Sequence, residues 1–348
     1  MTTERARPRL PALVAPDSFK GTLAAETVAR AIARGLREAA VESVELPLAD
    51  GGEGTAQVLV RALGGRWLDA RVSDPLGRPR QASFALLADD RTAVVEVAAA
   101  AGLPLLAPAE RDPLRASSRG VGELIAAAVR AGARRVLVAA GGSATVDGGA
   151  GALAALEEHG VDCELVVLCD VRTPWERAAR TYGPQKGARP EHVPLLEERL
   201  DELAERAPRD PRGEPYTGAA GGLAGALWSW YGARLVAGAP YVLDSVGFDQ
   251  KLRACWFVVT GEGKLDRQTL EGKVVAEVAT RARQRGVACH AICGACALSA
   301  FDLRLLDLQG VTTAGTPEDL ARAARQLVER EHPCNGLDRG APSAQARG

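Results

Sequence analysis

Apolar and polar positions near the start of the chain follow two different periods. Short apolar runs at 10–15 and 44–48 predict two strands. After each run, apolar residues recur every three or four positions, at 25–36 and at 55–63, and this spacing predicts a helix. The order strand, helix, strand, helix is typical of a parallel βαβ unit.

The pattern changes after Gly65. Strand-like runs at 81–87 and 92–97 are joined by a short polar turn, which predicts an antiparallel hairpin. Beyond Gly120 the alternation returns, with strands predicted at 135–140, 165–169, 256–260 and 287–292, and helices at 191–206, from about 273, and at 317–331. A hairpin-bearing middle between βα-type ends indicates an inserted domain, with an active site in the cleft between the two domains.

Composition and charge exclude several classes of partner. Lys and Arg total 43, Asp and Glu total 44, and no basic stripe is present, which argues against a nucleic-acid partner. No apolar run approaches the roughly 18 residues that span a bilayer. The N-terminal stretch is too poor in apolar residues for a signal peptide. We therefore expect a cytoplasmic protein with no membrane partner.

The seven cysteines are odd in number and lack a framework spacing, which fits reduced thiols. Cys293 and Cys296 form a CxxC pair, but a zinc site needs a second pair of ligands. Metal or redox use of these two cysteines is therefore disfavoured.

Five polar, glycine-rich segments each follow a predicted strand, where open α/β sheets bind ligands and helix N-termini attract anions. Several such segments in one chain indicate an anionic, phosphorylated ligand. In the first segment, 16–21, Lys20 could neutralise a phosphate, and Asp17 could hold a metal or accept a proton. The alternative is a helix-capping turn with Lys20 in solvent, and spacing alone does not decide between them.

The second segment, 50–55, places Asp50 and Glu53 among three glycines that leave the backbone open to a ligand. Carboxylates beside phosphates indicate Mg²⁺, whereas the alternative is a flexible turn with an acidic helix start. The third segment, 141–149, combines four glycines with Ser and Thr donors, as a phosphate cradle needs. The related segment 218–222 has small residues that equally suit close helix packing.

The fourth segment begins at Asp170 and continues at 183–187. Asp170 ends an apolar strand, where a carboxylate would be costly to bury without a partner. The fifth segment, 260–266, is followed by Gly272 and Lys273. Neither Gly–Lys pair belongs to a Walker A motif, and the protein-kinase signatures, a dinucleotide fingerprint and GxSxG are absent. None of the four histidines has the sequence context of a catalytic base, so we expect a carboxylate to abstract the proton.

Together these segments resemble the type I glycerate kinases. Nine pieces occur in the family's order between residue 12 and about residue 294: APDSFKGTL, PLADGGEGT, DPLGRP, GELI, GGSAT with DGG, CDV, YGPQKGA, GAAGG and TGEGKLDRQT with GK. Each piece is weak alone, but nine in order make a specific signal.

The resemblance implies an α/β protein of two domains. A discontinuous, Rossmann-like parallel-sheet domain is expected at 1–70 and 285–331, an inserted mixed α/β domain at 71–284, and a disordered tail at 332–348. The resemblance also implies ATP and Mg²⁺ as co-reactants, glycerate as the small hydroxy-acid substrate and 2-phosphoglycerate as the product. Catalysis of phosphoryl transfer is mainly positioning and charge stabilisation, with a carboxylate to take the hydroxyl proton.

The residues expected at the site fall into four groups. The expected catalytic residues are Asp17, Lys20, Asp170 and Lys186. Nucleotide or phosphate binding is expected from Ser18, Gly51, Gly52, Gly142, Ser143, Thr145, Gly221, Gly222, Gly261 and Gly263. Substrate binding is expected from Arg78, Gln185 and Lys264, and metal binding from Asp50, Glu53 and Asp266. Which carboxylate acts as base and which as ligand stays open, with Asp170 favoured as the base.

Two of the chain's departures from the family pattern concern the third and fourth segments. Val146 stands where the family usually has Asn, and the shortened segment 172–177 has lost an Asn-Pro and its glycine. Arg172 and Arg177 would favour a more negatively charged acceptor if they faced the pocket, because guanidinium groups bind carboxylate or phosphate in bidentate fashion. Alternatively, the loop faces solvent and Trp175 packs on a helix.

Two alternatives to a glycerate kinase follow. One is a sister kinase that acts on another small hydroxy acid. The other, from a different class, is a nucleotide-binding regulator that has lost catalysis. The many charged residues kept in the five segments argue against the regulator, because unpaired buried charge is costly to retain. An NAD-dependent dehydrogenase is disfavoured by the missing fingerprint.

Overall fold

Two main sheets, one parallel and one mixed, organise the computed structural model, which describes residues 10–331. The strands are β1 (Ala12–Val14), β2 (Ser43–Glu45), β3 (Gly65–Ser73), β4 (Pro79–Leu87), β5 (Thr92–Glu96), β6 (Arg135–Ala139), β7 (Glu164–Cys169), β8 (Arg234–Ala237), β9 (Phe257–Thr260), β10 (Lys264–Leu265), β11 (Ala288–Cys293), β12 (Ala295–Cys296) and β13 (Gly310–Thr313). The predicted disordered tail at 332–348 lies outside the described residues.

Helices connect most of these strands. They are α1 (Ala25–Glu38), α2 (Thr55–Leu63), α3 (Val97–Ala101), α4 (Arg119–Arg130), α5 (Ala150–Glu158), α6 (Ala178–Tyr182), α7 (His192–Glu205), α8 (Leu223–Tyr231), α9 (Gly238–Ser245), α10 (Phe248–Arg253), α11 (Val274–Arg285), α12 (Ala300–Leu305) and α13 (Pro317–Glu331). No helix within residues 10–331 combines the length and the apolar character needed to cross a membrane.

The parallel sheet has the strand order β13-β11-β9-β1-β2 and is covered on both faces. Its side chains alternate, as strand geometry requires: Val14 faces the helices α1 and α13, and Leu13 faces the opposite side. In α1, the fully buried residues Val28, Ile32 and Leu36 are four positions apart and form the stripe that covers the sheet. The predicted parallel α/β unit is therefore present.

The mixed sheet has the order β3-β4-β5-β6-β7-β8. The predicted hairpin is confirmed, because β4 and β5 pair antiparallel with Ala85 opposite Val94. The strands β5 to β8 are parallel, and α4, α5 and α8 cover one face. The strand β3 was not predicted. It is an edge strand whose residues are largely exposed, so it lacks the apolar run that marks a buried strand.

One apolar core joins the two sheets. It includes Leu13 of the parallel sheet, Leu168 of the mixed sheet, Leu59 of α2 and Leu243 of α9. These residues are fully buried, and α2 and α9 contact strands of the mixed sheet while sharing this core with the parallel sheet. Because the two sheets share this core, the loops at their strand ends open into a common cleft.

The domain boundaries 70/71 and 284/285 stay a prediction, and the strands near them have defined sheet partners. The first strand of the mixed sheet already begins at Gly65. The chain is back in the parallel sheet by Phe257–Thr260, because β9 pairs with both β1 and β11. All four residues of β9 are buried, as expected for a central strand. The order of elements along the chain does not show that β9 pairs with β1 and β11.

Backbone contacts between glycines hold the loop after β2 against the mixed sheet. A Cβ atom at Gly238, the first residue of α9, would lie 2.2 Å from the carbonyl oxygen of Asp50. A Cβ atom at Gly141, after β6, would lie 2.6 Å from the Cα atom of Gly52. Any side chain at these glycines would push the two sheets apart.

We expect Gly238→Ala to lower the free energy of unfolding by about 1–3 kcal/mol, because the added methyl group overpacks a backbone contact. The measurement is urea denaturation followed by circular dichroism. Gly315→Ala is the control, because a Cβ atom there would have nothing within 4 Å and should shift stability by less than about 1 kcal/mol. Equal denaturation midpoints for the two variants would contradict the proposed contact.

Candidate active site

The carboxyl ends of β1 and β9 form the centre of the site. These strands are neighbours, but the crossover from β1 runs to β2 through α1 and that from β9 runs the other way to β11 through α11. Such a reversal is where open α/β sheets bind ligands. The backbone N–H of Asp17 donates to the carbonyl of Gly261 over 2.8 Å, which fixes the two loops together.

Lys20 and Asp50 form an ion pair at this centre. Lys20 Nζ lies 2.9 Å from Asp50 Oδ2, and the N–H of Gly52 donates to Asp50 Oδ1 over 3.1 Å. The Asp50 side chain is 2% exposed, whereas that of Lys20 is 53% exposed. Burial opposes the ionisation of Asp50, but the ammonium group outweighs burial and holds the pKa of Asp50 below its usual value.

Two further carboxylates lie close to this pair. Burial first, and then the charge of Asp50, raise the pKa of Asp17 well above its usual value. The same two causes raise the pKa of Asp170, at the end of β7, to about 6. Burial acts to lower the pKa of Lys20, but the surrounding carboxylates raise it overall. The first, second and fourth predicted segments therefore converge on one electrostatic cluster.

Lys186 anchors the third predicted segment. Its Nζ donates to Ser143 Oγ and to the carbonyl oxygen of Thr145, both over 2.8 Å. Lys186 is buried, and burial lowers its pKa to about 8. The hydroxyl of Thr145 is buried as well and has no hydrogen-bond partner among the described residues. Gly142, in contrast, is exposed and open to a ligand.

Three cavities meet at Lys20, which lines all of them. The mixed-sheet cavity, about 510 Å³, is lined by Arg111, Gly142, Ser143, Asp170, Gln185 and Lys186. The switch-point cavity, about 440 Å³, is lined by Ser18, Glu262, Gly263, Lys264, Asp266 and Lys273. The helix cavity, about 400 Å³, is lined by Asp17, Ser18, Glu53, Gln57, Trp67 and Glu96.

Several expected site residues do not reach these cavities. Arg78, expected to bind substrate, instead pairs with Asp74 over 2.5 Å and with Glu110 over 2.6 Å. Gly221 packs on the third segment, because a Cβ atom there would lie 1.9 Å from the carbonyl oxygen of Thr145. The other expected residues absent from the three linings are Asp50, Gly51, Gly52, Thr145, Gly222 and Gly261.

Similar proteins identify the family. The sequence profile described as "Glycerate kinase family" matches residues 12–162 and 156–331. A glycerate kinase of Bacillus subtilis (strain 168) is 39% identical over 324 residues, which cover 81% of this chain and 84% of that protein. A glycerate 2-kinase of Escherichia coli (strain K12) is 38% identical over 311 residues, covering 78% and 82%. The chain belongs to the glycerate kinase family.

A solved structure supports this membership. The crystal structure of a protein assigned as glycerate kinase 2 from Salmonella typhimurium LT2 superposes with a TM-score of 0.77 at 34% identity, covering 93% of this chain and 98% of that one. The predicted enzyme class, a kinase that acts on an alcohol group of a small molecule, is confirmed, as is the two-sheet α/β fold. The type I subclass stays a prediction.

The expected metal ligands of this chain do not come together. In the described part of the chain, no three His, Cys, Asp or Glu side chains are grouped to hold a metal. Asp50 pairs with Lys20, and Glu53 is exposed. Asp266 lines the switch-point cavity, where its Oδ2 lies 3.9 Å from Lys264 Nζ. Mg²⁺ usually takes only one or two carboxylates together with substrate phosphates and water, so the cluster does not need a complete protein cage.

The departures from the family pattern lie behind the site rather than in it. Trp175 is fully buried and donates from Nε1 to the carbonyl of Leu200 in α7 over 3.0 Å. Val146 is buried in the same apolar cluster. Arg172 stacks over the ring of Tyr216, and neither Arg172 nor Arg177 lines any of the three cavities. The structure thus favours the packed alternative for this loop.

Sequence reasoning missed three charged residues of the site. Glu262 is buried, accepts a hydrogen bond from Thr269 and has a pKa raised by burial. The charge of Lys273 favours the ionised forms of Asp50 and Asp170. Both residues stand within quoted motifs, so the signal was present but not assigned. The third, Arg111, stands outside every recognised motif.

We expect Lys186→Met to release the third segment, because it removes two hydrogen bonds from a charged donor, each worth about 1.5–3 kcal/mol. Amide hydrogen exchange in 142–146 should rise about tenfold or more, with exchange in α13 unchanged. Lys251→Met is the control, since Lys251 also donates to a carbonyl, that of Val246, but in α10. Unchanged exchange in 142–146 would show that Lys186 does not hold the loop.

Proposed function

We propose that this enzyme transfers the terminal phosphoryl group of ATP to the 2-hydroxyl of glycerate and forms 2-phosphoglycerate. One observation carries the proposal. Lys20 lies where the cavity that contains Asp170 meets the cavity at the ends of β1 and β9. A phosphoryl group there would contact a cation on one side and a carboxylate with a raised pKa on the other. The family membership supports glycerate as the acceptor.

The two larger cavities suit different substrates. We place the nucleotide phosphates in the switch-point cavity, because glycine-rich loops flank it and Lys264 and Lys273 line it. We place the hydroxy acid in the mixed-sheet cavity, where Asp170 and Gln185 offer hydrogen-bonding groups to its hydroxyls. Lys20 lines both cavities and would contact the group that passes between them.

The transfer divides the roles between few residues. The bond from the terminal phosphorus to the ADP oxygen breaks, and a bond from phosphorus to the substrate hydroxyl oxygen forms. Asp170 accepts the hydroxyl proton, for which a pKa of about 6 is suited at neutral pH. Lys20 stabilises charge on the transferred group. A bound Mg²⁺, held by phosphates and by Asp266 of the switch-point cavity, would neutralise further phosphate charge.

The experiment that tests this proposal follows ADP release with Mg-ATP and a panel of small hydroxy acids. Glycerate should have the highest kcat/KM, and activity should be lost in EDTA. The product can be identified by phosphorus NMR and by its direct conversion by enolase without a phosphoglycerate mutase. No ADP release with glycerate would refute the proposal, and a product that enolase leaves unchanged would refute 2-phosphorylation.

We expect Lys20→Ala to slow turnover by about 10²-fold or more, because it removes a positioned charge from the transferring phosphoryl group. The measurement is kcat with saturating glycerate and Mg-ATP. Lys251→Ala, far along the chain in α10, is the control for loss of one lysine charge. Normal turnover in a folded Lys20→Ala protein would eliminate Lys20 as a catalytic residue.

The pH dependence tests Asp170 as the base. Its pKa is raised to about 6, so the carboxylate is ionised above that pH and becomes protonated as the pH falls below it. A protonated base cannot accept the hydroxyl proton, so log kcat/KM should fall by about one unit per pH unit below pH 6. Asp170→Asn should lose this limb and most of the activity. A wild-type profile that stays flat from pH 7 to 5 would rule out this role.

A further inference from the structure

Among the described residues, Arg111 is the cation of the mixed-sheet cavity that has no hydrogen-bond or ion-pair partner. Its Nε is buried and has no hydrogen-bond partner among the described residues, and no ion pair there includes its guanidinium group. Lys20, in the same cavity, pairs with Asp50, and Lys186 donates to the third segment. Because an arginine keeps its charge in proteins, an unpaired buried donor on it is costly.

Neither acidic residue beside Arg111 in the chain forms an ion pair with it: Asp112 accepts from the N–H of Leu114 over 3.0 Å, and Glu110 has other donors. Glu110 accepts from Arg78 over 2.6 Å and from the N–H of Ala107 over 3.1 Å, so both of its carboxylate oxygens have donors. Arg78, which sequence reasoning assigned to the substrate, therefore holds the side chain next to Arg111. The guanidinium group of Arg111 is left for a ligand that enters the cavity.

The backbone of Arg111 is held in place by the fourth segment. Gly187 has a φ of +100°, and a Cβ atom there would lie 2.4 Å from the Arg111 carbonyl oxygen. This close contact fixes Arg111 beside Gln185 and Lys186, which line the same cavity. The planar guanidinium group of Arg111 matches a carboxylate in shape and can bind it through two hydrogen bonds.

We propose that Arg111 binds the carboxylate of the acceptor and makes the enzyme select hydroxy acids over neutral polyols. This inference rests on the proposed function, because it assigns the acceptor to the mixed-sheet cavity. A hydroxy acid brings a carboxylate with one negative charge. This carboxylate supplies the partner that the guanidinium group of Arg111 lacks among the described residues. A neutral analogue would enter the cavity and leave Arg111 unpaired, so the site would disfavour it.

The test combines a change in the protein with a change in the substrate. Arg111→Met should lower kcat/KM for glycerate by about 10²-fold or more, mainly through KM. The neutral amide of glycerate should be a poor substrate of the wild type, and its kcat/KM should change less than threefold in the variant. An equal loss for both substrates would show a structural role and overturn the inference.

Calorimetry provides a readout that does not depend on turnover. The wild type should bind 3-hydroxypropanoate, which keeps the carboxylate but lacks the 2-hydroxyl, and Arg111→Met should bind it about 10²-fold more weakly. Arg115→Met is the matched control, because Arg115 is exposed and lies in the same segment outside the cavity. Equal binding by wild type and Arg111→Met would overturn the inference. Absence of glycerate turnover in the wild type would instead refute the proposed function.

Discussion

The backbone contact between the loop after β2 and the mixed sheet determines the geometry of the site. At Gly51, Gly141 and Gly238 two segments of backbone approach so closely that a methyl group has no room. This approach brings Asp50, from the parallel sheet, within electrostatic reach of Asp170, from the mixed sheet. Without it, the strand ends of the two sheets would not face one cleft, and a phosphoryl group could not pass between them.

The charges brought together by this contact do not cancel. Asp17, Asp50, Asp170 and Glu262 interact with two lysines, Lys20 and Lys273. The cluster has more carboxyl groups than its lysines can neutralise. Burial and mutual repulsion therefore raise the pKa of three of these carboxyl groups. Such an arrangement costs stability in the free protein and suits a site that receives a cation together with phosphates.

The sequence predicted which segments converge better than it predicted the partners of each residue. Glycine-rich segments after apolar strands predicted where ligands bind, because strand ends of a parallel sheet lie at one edge. Spacing could not show that Arg78 pairs with Glu110, or that Gly221 packs on Thr145, since both contacts join distant segments. Arg111 gave no signal, because an unpaired guanidinium is recognisable only when its surroundings are known.

The departures at Val146 and Trp175 bear on how the acceptor is chosen. Both side chains lie in one apolar cluster with Leu196 and Leu200 of α7, which packs behind the third segment. The large indole ring of Trp175 fits into this cluster because Gly148 and Gly222, which contact the ring, have no side chains. The altered loop therefore supports the third segment from behind. Under the proposed function, acceptor selection falls to the side chains that line the mixed-sheet cavity, and among these Arg111 is the cation without a partner in the described residues.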